Sequence, residues 1–128
     1  MKAKILIIDD EELVLAGWEY ALASAGYHVS KASEGKVAVE IAEKEQPDVV
    51  ITDLFMPVMN GIEICRQIKA ISPGSEIVLI SGYPEETPRF YMQFVKAGGR
   101  DIFLRKPLFK EELIEAVKNI LRERKQAV

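Results

Sequence analysis

A chain of 128 residues is long enough for one compact domain with a full core. A hydrophobic share of 48% and a charged share of 29% exclude wholesale disorder. A formal charge of −3 with acids and bases interspersed excludes a basic nucleic-acid footprint, and one Cys with one His gives neither an intrachain disulfide nor a zinc spacing.

The first predicted strand, Lys4–Asp9, runs through Ile5, Leu6, Ile7 and Ile8 and ends in Asp9-Asp10. That apolar run is too short for a signal peptide or a membrane span, so a cytoplasmic location with no membrane contact is the default expectation. The first helix carries a stripe of Val14, Gly17, Trp18, Ala21, Leu22 and Ala25, and Gly26 ends it. A second strand spans Tyr27–Ala32, with His28 at its exposed start and no ligand role for it. Ser33 can cap a second helix that reaches about Glu45, with Pro47 just beyond. The third strand, Asp48–Asp53, is apolar on both faces through Val49, Val50 and Ile51, yet it delivers a carboxylate into "DLFMPVMNG". An ionised carboxylate amid apolar neighbours is either paired or put to use.

Asn60 can cap a third helix with Ile64, Cys65 and Ile68 facing inward, until Ser72-Pro73-Gly74 breaks it. Cys65 reads as a small core residue. Glu76–Ser81 is a fourth strand, and Thr87-Pro88 suits the start of a fourth helix. Phe90, Tyr91, Met92 and Phe94 cannot all face inward from that helix. Either they form an exposed apolar patch with Phe109, the mark of a partner or homodimer surface, or they overpack onto the sheet. Asp101–Arg105 is the fifth strand. The last helix repeats Leu113, Ile114, Val117, Ile120 and Leu121, and its basic end (Arg122, Arg124, Lys125) suits the helix dipole. Five strand–helix alternations with continuously apolar strands imply an open parallel α/β sheet with helices on both faces, too short for an eightfold barrel.

In such sheets ligands bind beyond the carboxyl ends of the strands. Those ends carry Asp9-Asp10, Asp53, Ser81-Gly82 and Lys106-Pro107, whereas the second strand delivers only Lys31 and Ala32. Three carboxylates repel one another more than one Lys can neutralise. An oxygen-only set without His or Cys suits Mg²⁺, and with a Lys and a hydroxyl it suits a phosphoryl group. Asp53 can then act as a nucleophile, since carboxylates form aspartyl-phosphates.

The segments "ILIIDDE", "DVVITDLFMPVMNG", "IVLISG" and "DIFLRKP", in that order, resemble the receiver domain of two-component response regulators over residues 1–128, a single domain. The resemblance implies a flavodoxin-like five-stranded sheet in the order 2-1-3-4-5. It implies that Asp53 accepts a phosphoryl group from a histidine kinase or phosphotransfer protein. Asp10, Asp53 and the Phe55 backbone carbonyl would ligate Mg²⁺, with Asp9 acting through a water. Ser81, Gly82 and Lys106 would bind the phosphoryl group, across a cis Lys106–Pro107 bond. Ser81 and Phe103 would form the switch, changing the surface of the fourth helix, fifth strand and fifth helix. That surface is where a downstream effector or a second copy would dock. The protein is then a phosphoacceptor switch that promotes its own phosphorylation and dephosphorylation, and not otherwise an enzyme.

Departures from the family pattern are local. The stretch between Ser81 and Lys106 is longer than usual and holds Pro84, Pro88 and Gly98-Gly99. Phe109 replaces a small polar cap, so the last helix is expected to start without side-chain capping. Phe55 and Tyr83 sit at positions that tune dephosphorylation in the family, and their bulk implies a slowly hydrolysed phosphoryl group. Asp9-Asp10 could instead be a solvated turn or cap, and Ser81 an ordinary strand-end hydroxyl. Two rival functions remain. One is a degenerate receiver serving as a constitutive interaction module, against which the full residue set argues. The other is an aspartyl-phosphate phosphatase, whose first-strand acid pattern Asp9-Asp10-Glu11 does not fit. No linker follows Val128, so the sequence leaves open a stand-alone regulator or a receiver from a longer protein.

Overall fold

The structure is a computed structural model that describes residues 2–83 and 87–126. Pro84 and Val128, named above, lie outside the described residues. Elements alternate as β1 (Lys4–Ile8), α1 (Glu12–Ser24), β2 (His28–Ala32), α2 (Gly35–Glu45), β3 (Val49–Asp53), α3 (Gly61–Ile71), β4 (Glu76–Ser81), α4 (Thr87–Lys96), β5 (Phe103–Arg105) and α5 (Lys110–Gln126). All strand pairs are parallel, in the order β2-β1-β3-β4-β5. This is the flavodoxin-like sheet expected from the sequence, with every strand but β4 shorter than predicted. Asp9, Tyr27, Asp48, Asp101 and Ile102 fall outside the strands, and β5 is an edge of three residues.

Side chains alternate across the sheet, so each strand feeds two cores. Leu6, Ile8, Val50, Ile77 and Leu79 face one cluster with Ile64, Cys65, Ile68 and Phe94. Ile5, Ile7, Val49, Ile51, Val78 and Ile80 face the other, with Leu15, Trp18, Leu22, Leu113, Val117 and Ile120. Burial on both faces is why these strands are apolar without a break. Among the described residues no helix is long and apolar enough to cross a membrane.

Two local expectations are corrected. The buried face of α1 is Leu15, Trp18, Ala21 and Leu22, while Gly17 and Ala25 are exposed. Leu15 supplies apolar surface that Gly17 lacks, and the helix is rotated accordingly. Ser33 does not cap α2. The N-cap is Glu34, extended and without a side-chain hydrogen bond. The first helical residue, Gly35, packs closely, since a Cβ there would lie 2.9 Å from Met59 Sδ and 3.1 Å from Ile64 Cγ1. At the other end of α2, Gln46 takes the left-handed conformation (φ 50°), and its Nε2 donates to the carbonyls of Glu43 (3.1 Å) and Ile71 (3.0 Å), tying down two helix ends.

As expected, the apolar residues of α4 do not all face inward, and Met92 is exposed. Phe94 is fully buried, and Phe90 packs half-buried against the same cluster. Phe109 instead lines a groove with α1. It leaves its position without an N-cap acceptor, but Glu112 Oε1 accepts the Phe109 N–H at 3.2 Å, so one half of a capping box survives. Asn60 behaves as predicted, accepting from the N–H groups of Ile62 and Glu63 at 3.0 Å.

Candidate functional site

Asp9 follows β1 directly and is completely buried. Its N–H donates to the Ala32 carbonyl, which extends the β1–β2 ladder by one bond. Its Oδ1 accepts the Glu11 N–H at 2.8 Å, so it does close the turn into α1. Its Oδ2 lies 2.5 Å from Lys106 Nζ, so the turn role accounts for only one of its oxygens. Asp10, next in the chain, is exposed.

Asp53 ends β3 and is 6% exposed. Thr52 Oγ1 donates to the Asp53 carbonyl, and Leu54 N–H donates to Ile80 O at 3.0 Å, which holds the exit of β3 against β4. The loop then folds back, with Gly61 N–H on Leu54 O at 2.8 Å. Gly61 is sterically required. A Cβ there would meet the Asp53 carbonyl oxygen at 2.5 Å. Val58 in the same loop has φ 70° and is fully exposed, an unfavourable conformation for a β-branched residue.

Ser81 ends β4 and is buried, with its Oγ accepting the Tyr83 N–H at 3.0 Å. It pairs with Arg105 in the sheet, and the next residue, Lys106, donates its N–H to Ser81 O. A Cβ on Gly82 would be 3.7 Å from Lys106 Cβ, so the two loops run in contact. The Lys106–Pro107 bond is cis. Phe103 is half-buried at the sheet edge beside Leu79, with the Arg105 guanidinium 5.9 Å above its ring.

The result is one acidic site. Oxygens of Asp9, Asp10 and Asp53 lie within 4.8 Å of one another, and Lys106 Nζ stands 2.5 Å from Asp9 and 3.5 Å from Asp53. Burial pushes the Asp53 carboxyl up to about 6. Lys106 opposes that shift, and the charges of Asp9 and Asp10 add to it. Burial alone would lower the Lys106 ammonium, but its hydrogen bond to Asp9 and the charges of Asp53, Asp9 and Glu11 outweigh burial and raise it. Lys31, at the end of β2, pairs with Glu19 at 3.0 Å. The buried Cys65 thiol is pushed up to about 11 by burial, as befits a core residue.

One cavity adjoins the site and a larger one lies away from it. A groove of about 670 Å³ lies next to the site between α1 and the β5–α5 loop, lined by Leu13, Gly17, Trp18, Pro107 and Phe109 among others. A larger one, about 900 Å³, opens at the opposite edge of the sheet, around Lys4, Asp48 and Arg124. It contains none of the converging groups.

A family model for the response regulator receiver domain matches residues 5–118. The chain belongs to that family. The receiver is 34% identical over 122 residues to the alkaline phosphatase synthesis transcriptional regulatory protein PhoP of Bacillus subtilis, covering 95% of this chain and 50% of PhoP. It is 31% identical over 121 residues to the chemotaxis protein CheY of Thermotoga maritima, covering 94% of this chain and 98% of CheY. The crystal structure of a CheY-like response regulator receiver domain protein from Methanospirillum hungatei superposes over 100% of both chains, with a TM-score of 0.92 at 25% identity. The receiver thus spans about half the length of PhoP and nearly the whole of that CheY.

Three features of the site had no clear signal in the sequence. The Val58 conformation follows from loop closure, and the steric need at Gly61 follows from its approach to Asp53. The contact of Phe90 with Phe55, at 5.7 Å between ring centres, joins residues 35 positions apart.

Proposed function

We propose that the protein, taken as a single domain over residues 1–128, is a phosphorylation-controlled switch in which Asp53 is the phosphoacceptor. The observation that carries this reading is the meeting of Asp9, Asp10 and Asp53 with the Lys106 ammonium at the carboxyl edge of the sheet. The donor is a phosphohistidine on a histidine kinase or phosphotransfer protein. A carboxylate oxygen of Asp53 attacks phosphorus and the P–N bond breaks. Its electron pair returns to the imidazole nitrogen.

The donor set fits Mg²⁺, being hard oxygen ligands with no His or Cys. Asp10, Asp53 and the Phe55 carbonyl would hold the ion, with Asp9 reaching it through water. An ion held by these residues would supply positive charge against the phosphoryl oxygens. Lys106 supplies the second cation by turning from Asp9 toward the new group. Ser81 already uses its oxygen as an acceptor from Tyr83 N–H, so its own hydrogen is what it can give to a phosphoryl oxygen, with Gly82 N–H beside it. That demand shifts the β4–α4 loop, and Phe103 follows it inward. The output is a changed surface over α4, β5 and α5, read by an effector or a second copy.

The test is intact-mass measurement after incubation with Mg²⁺ and acetyl phosphate. One phosphoryl adduct on the wild type and none on Asp53→Ala supports the switch. No adduct from acetyl phosphate or from any phosphohistidine donor favours a constitutive interaction module. Rapid turnover of added phosphate esters favours a phosphatase.

A further inference from the structure

Three aromatic rings from three segments meet beside the site. Phe55 lies two residues after Asp53, and Tyr83 two after Ser81. Asp53 pairs with Ile80 in the sheet, so these loops leave adjacent strands at the same level. The Phe55 ring meets Tyr83 edge-on, with centroids 5.3 Å apart and planes at 89°. It meets Phe90 of α4 in the same way, at 5.7 Å and 85°. Phe55 is therefore the middle ring, held on one side by a loop and on the other by a helix. That helix is anchored four residues on by Phe94, which is fully buried, and Phe90 packs half-buried against the same cluster.

We propose that Phe90 is a positioning residue for loss of the phosphoryl group. It holds Phe55 against Tyr83, and the two rings narrow the approach of water to phosphorylated Asp53. The inference rests on the phosphoacceptor role of Asp53 and adds α4 to its control. In the hydrolysis step the water oxygen attacks phosphorus and the bond from phosphorus to the Asp53 oxygen breaks. The carboxylate keeps that electron pair, phosphate leaves, and the water's proton passes to solvent or phosphate. Only the path of the water depends on the rings. Because Phe90 is carried on α4, a partner that displaces α4 also changes how long the signal lasts. Effector binding and signal lifetime are thereby linked through one side chain.

If the rings were core packing alone, Phe90→Ala would lower stability and leave hydrolysis unchanged. The full chain is loaded with acetyl phosphate and Mg²⁺, freed of donor, and followed by intact mass as the acyl phosphate is lost. Thermal melts of each variant are recorded in parallel. Phe90→Ala is expected to lose phosphate about three- to tenfold faster, the range that one aromatic edge contact corresponds to. Phe90→Tyr keeps the ring and should match the wild type, as should Met92→Ala on the exposed face of the same helix. Combining Phe55→Ala with Phe90→Ala should be no faster than Phe55→Ala alone. If Phe90→Ala does not fold, Phe90→Leu carries the comparison, with an acceleration of about twofold or more expected. Equal rates for Phe90→Ala (or Phe90→Leu) and Met92→Ala overturn the inference, as does simple additivity in the double variant. Failure of the wild type to take up phosphate at all overturns the phosphoacceptor reading itself, and this inference with it.

Discussion

Lys106 Nζ lies 2.5 Å from Asp9 Oδ2 and 3.5 Å from Asp53 Oδ2, so the ammonium is held by the fully buried acid and only approached by the end of β3. The lysine is kept in reach of Asp53 without neutralising it. Removing either partner should move the Asp53 titration in opposite directions. Lys106→Met withdraws a cation that lowers the Asp53 pKa, so Asp53 should titrate above about 6. Asp9→Asn withdraws a charge that raises it, so Asp53 should titrate below that value. Carbon-13 NMR of the Asp53 carboxyl without Mg²⁺ reads both shifts.

Stability should depend on pH through the same group. Asp53 has a folded pKa of about 6 against an ordinary 3.8, so the folded state binds more protons in that window. Stability then falls as pH rises from about 4 to about 6 and stays low above it. Asp53→Asn removes this penalty and should stabilise the Mg²⁺-free protein at neutral pH by up to about 2–3 kcal/mol. Urea unfolding in EDTA at two pH values is the check. Added Mg²⁺ should raise wild-type stability and raise that of Asp53→Asn much less.

Two glycines separate loop geometry from core packing. Gly61→Ala would drive a methyl to 2.5 Å from the Asp53 carbonyl oxygen, so it should weaken Mg²⁺ binding and phosphorylation as well as stability. Gly99→Ala would push a methyl into the Phe94 ring. It should cost about 1–3 kcal/mol as an overpacked core while leaving Mg²⁺ affinity near wild type. Chemical denaturation beside a Mg²⁺ titration distinguishes them.

Val58 holds a left-handed backbone with its side chain in solvent, so strain there buys no packing. Val58→Gly or Val58→Asn should stabilise the fold by about 1 kcal/mol, measured by thermal unfolding. A loss of stability would mean that the loop changes conformation with the residue.

Phe55 follows Asp53 by two residues and its ring meets that of Tyr83; if Asp53 is the phosphoacceptor, as proposed, the phosphoryl group should persist for minutes and not seconds in Mg²⁺ buffer after donor removal. Loss within seconds would contradict the water-exclusion role of these rings.

The sheet and the site were legible in the sequence for the same reason. Strands buried on both faces are written as unbroken Ile and Val, and where such a strand ends in Asp9, Asp53, Ser81 or Lys106 the polar residue marks the sheet's carboxyl edge. What was not legible depends on contacts between distant segments. Ser33 looked like a cap, but α2 starts at Gly35, which packs closely against Met59. The sequence sets Phe109 near the α4 residues, but the β5–α5 loop leaves it exposed on a groove that it lines together with Leu13 and Trp18. The inner face of α1 is ambiguous in the sequence because Gly17 and Ala25 are small enough to fit either face. No local pattern joins Phe90 to Phe55.

The most direct test of the central claim is chemical mapping of the modified residue. The protein is treated with acetyl phosphate and Mg²⁺, reduced with borohydride and digested for peptide mass analysis. Asp53 alone should be converted to homoserine, and only when Mg²⁺ is present. Conversion at Asp9 or Asp10, or a phosphate adduct that resists reduction, would contradict it.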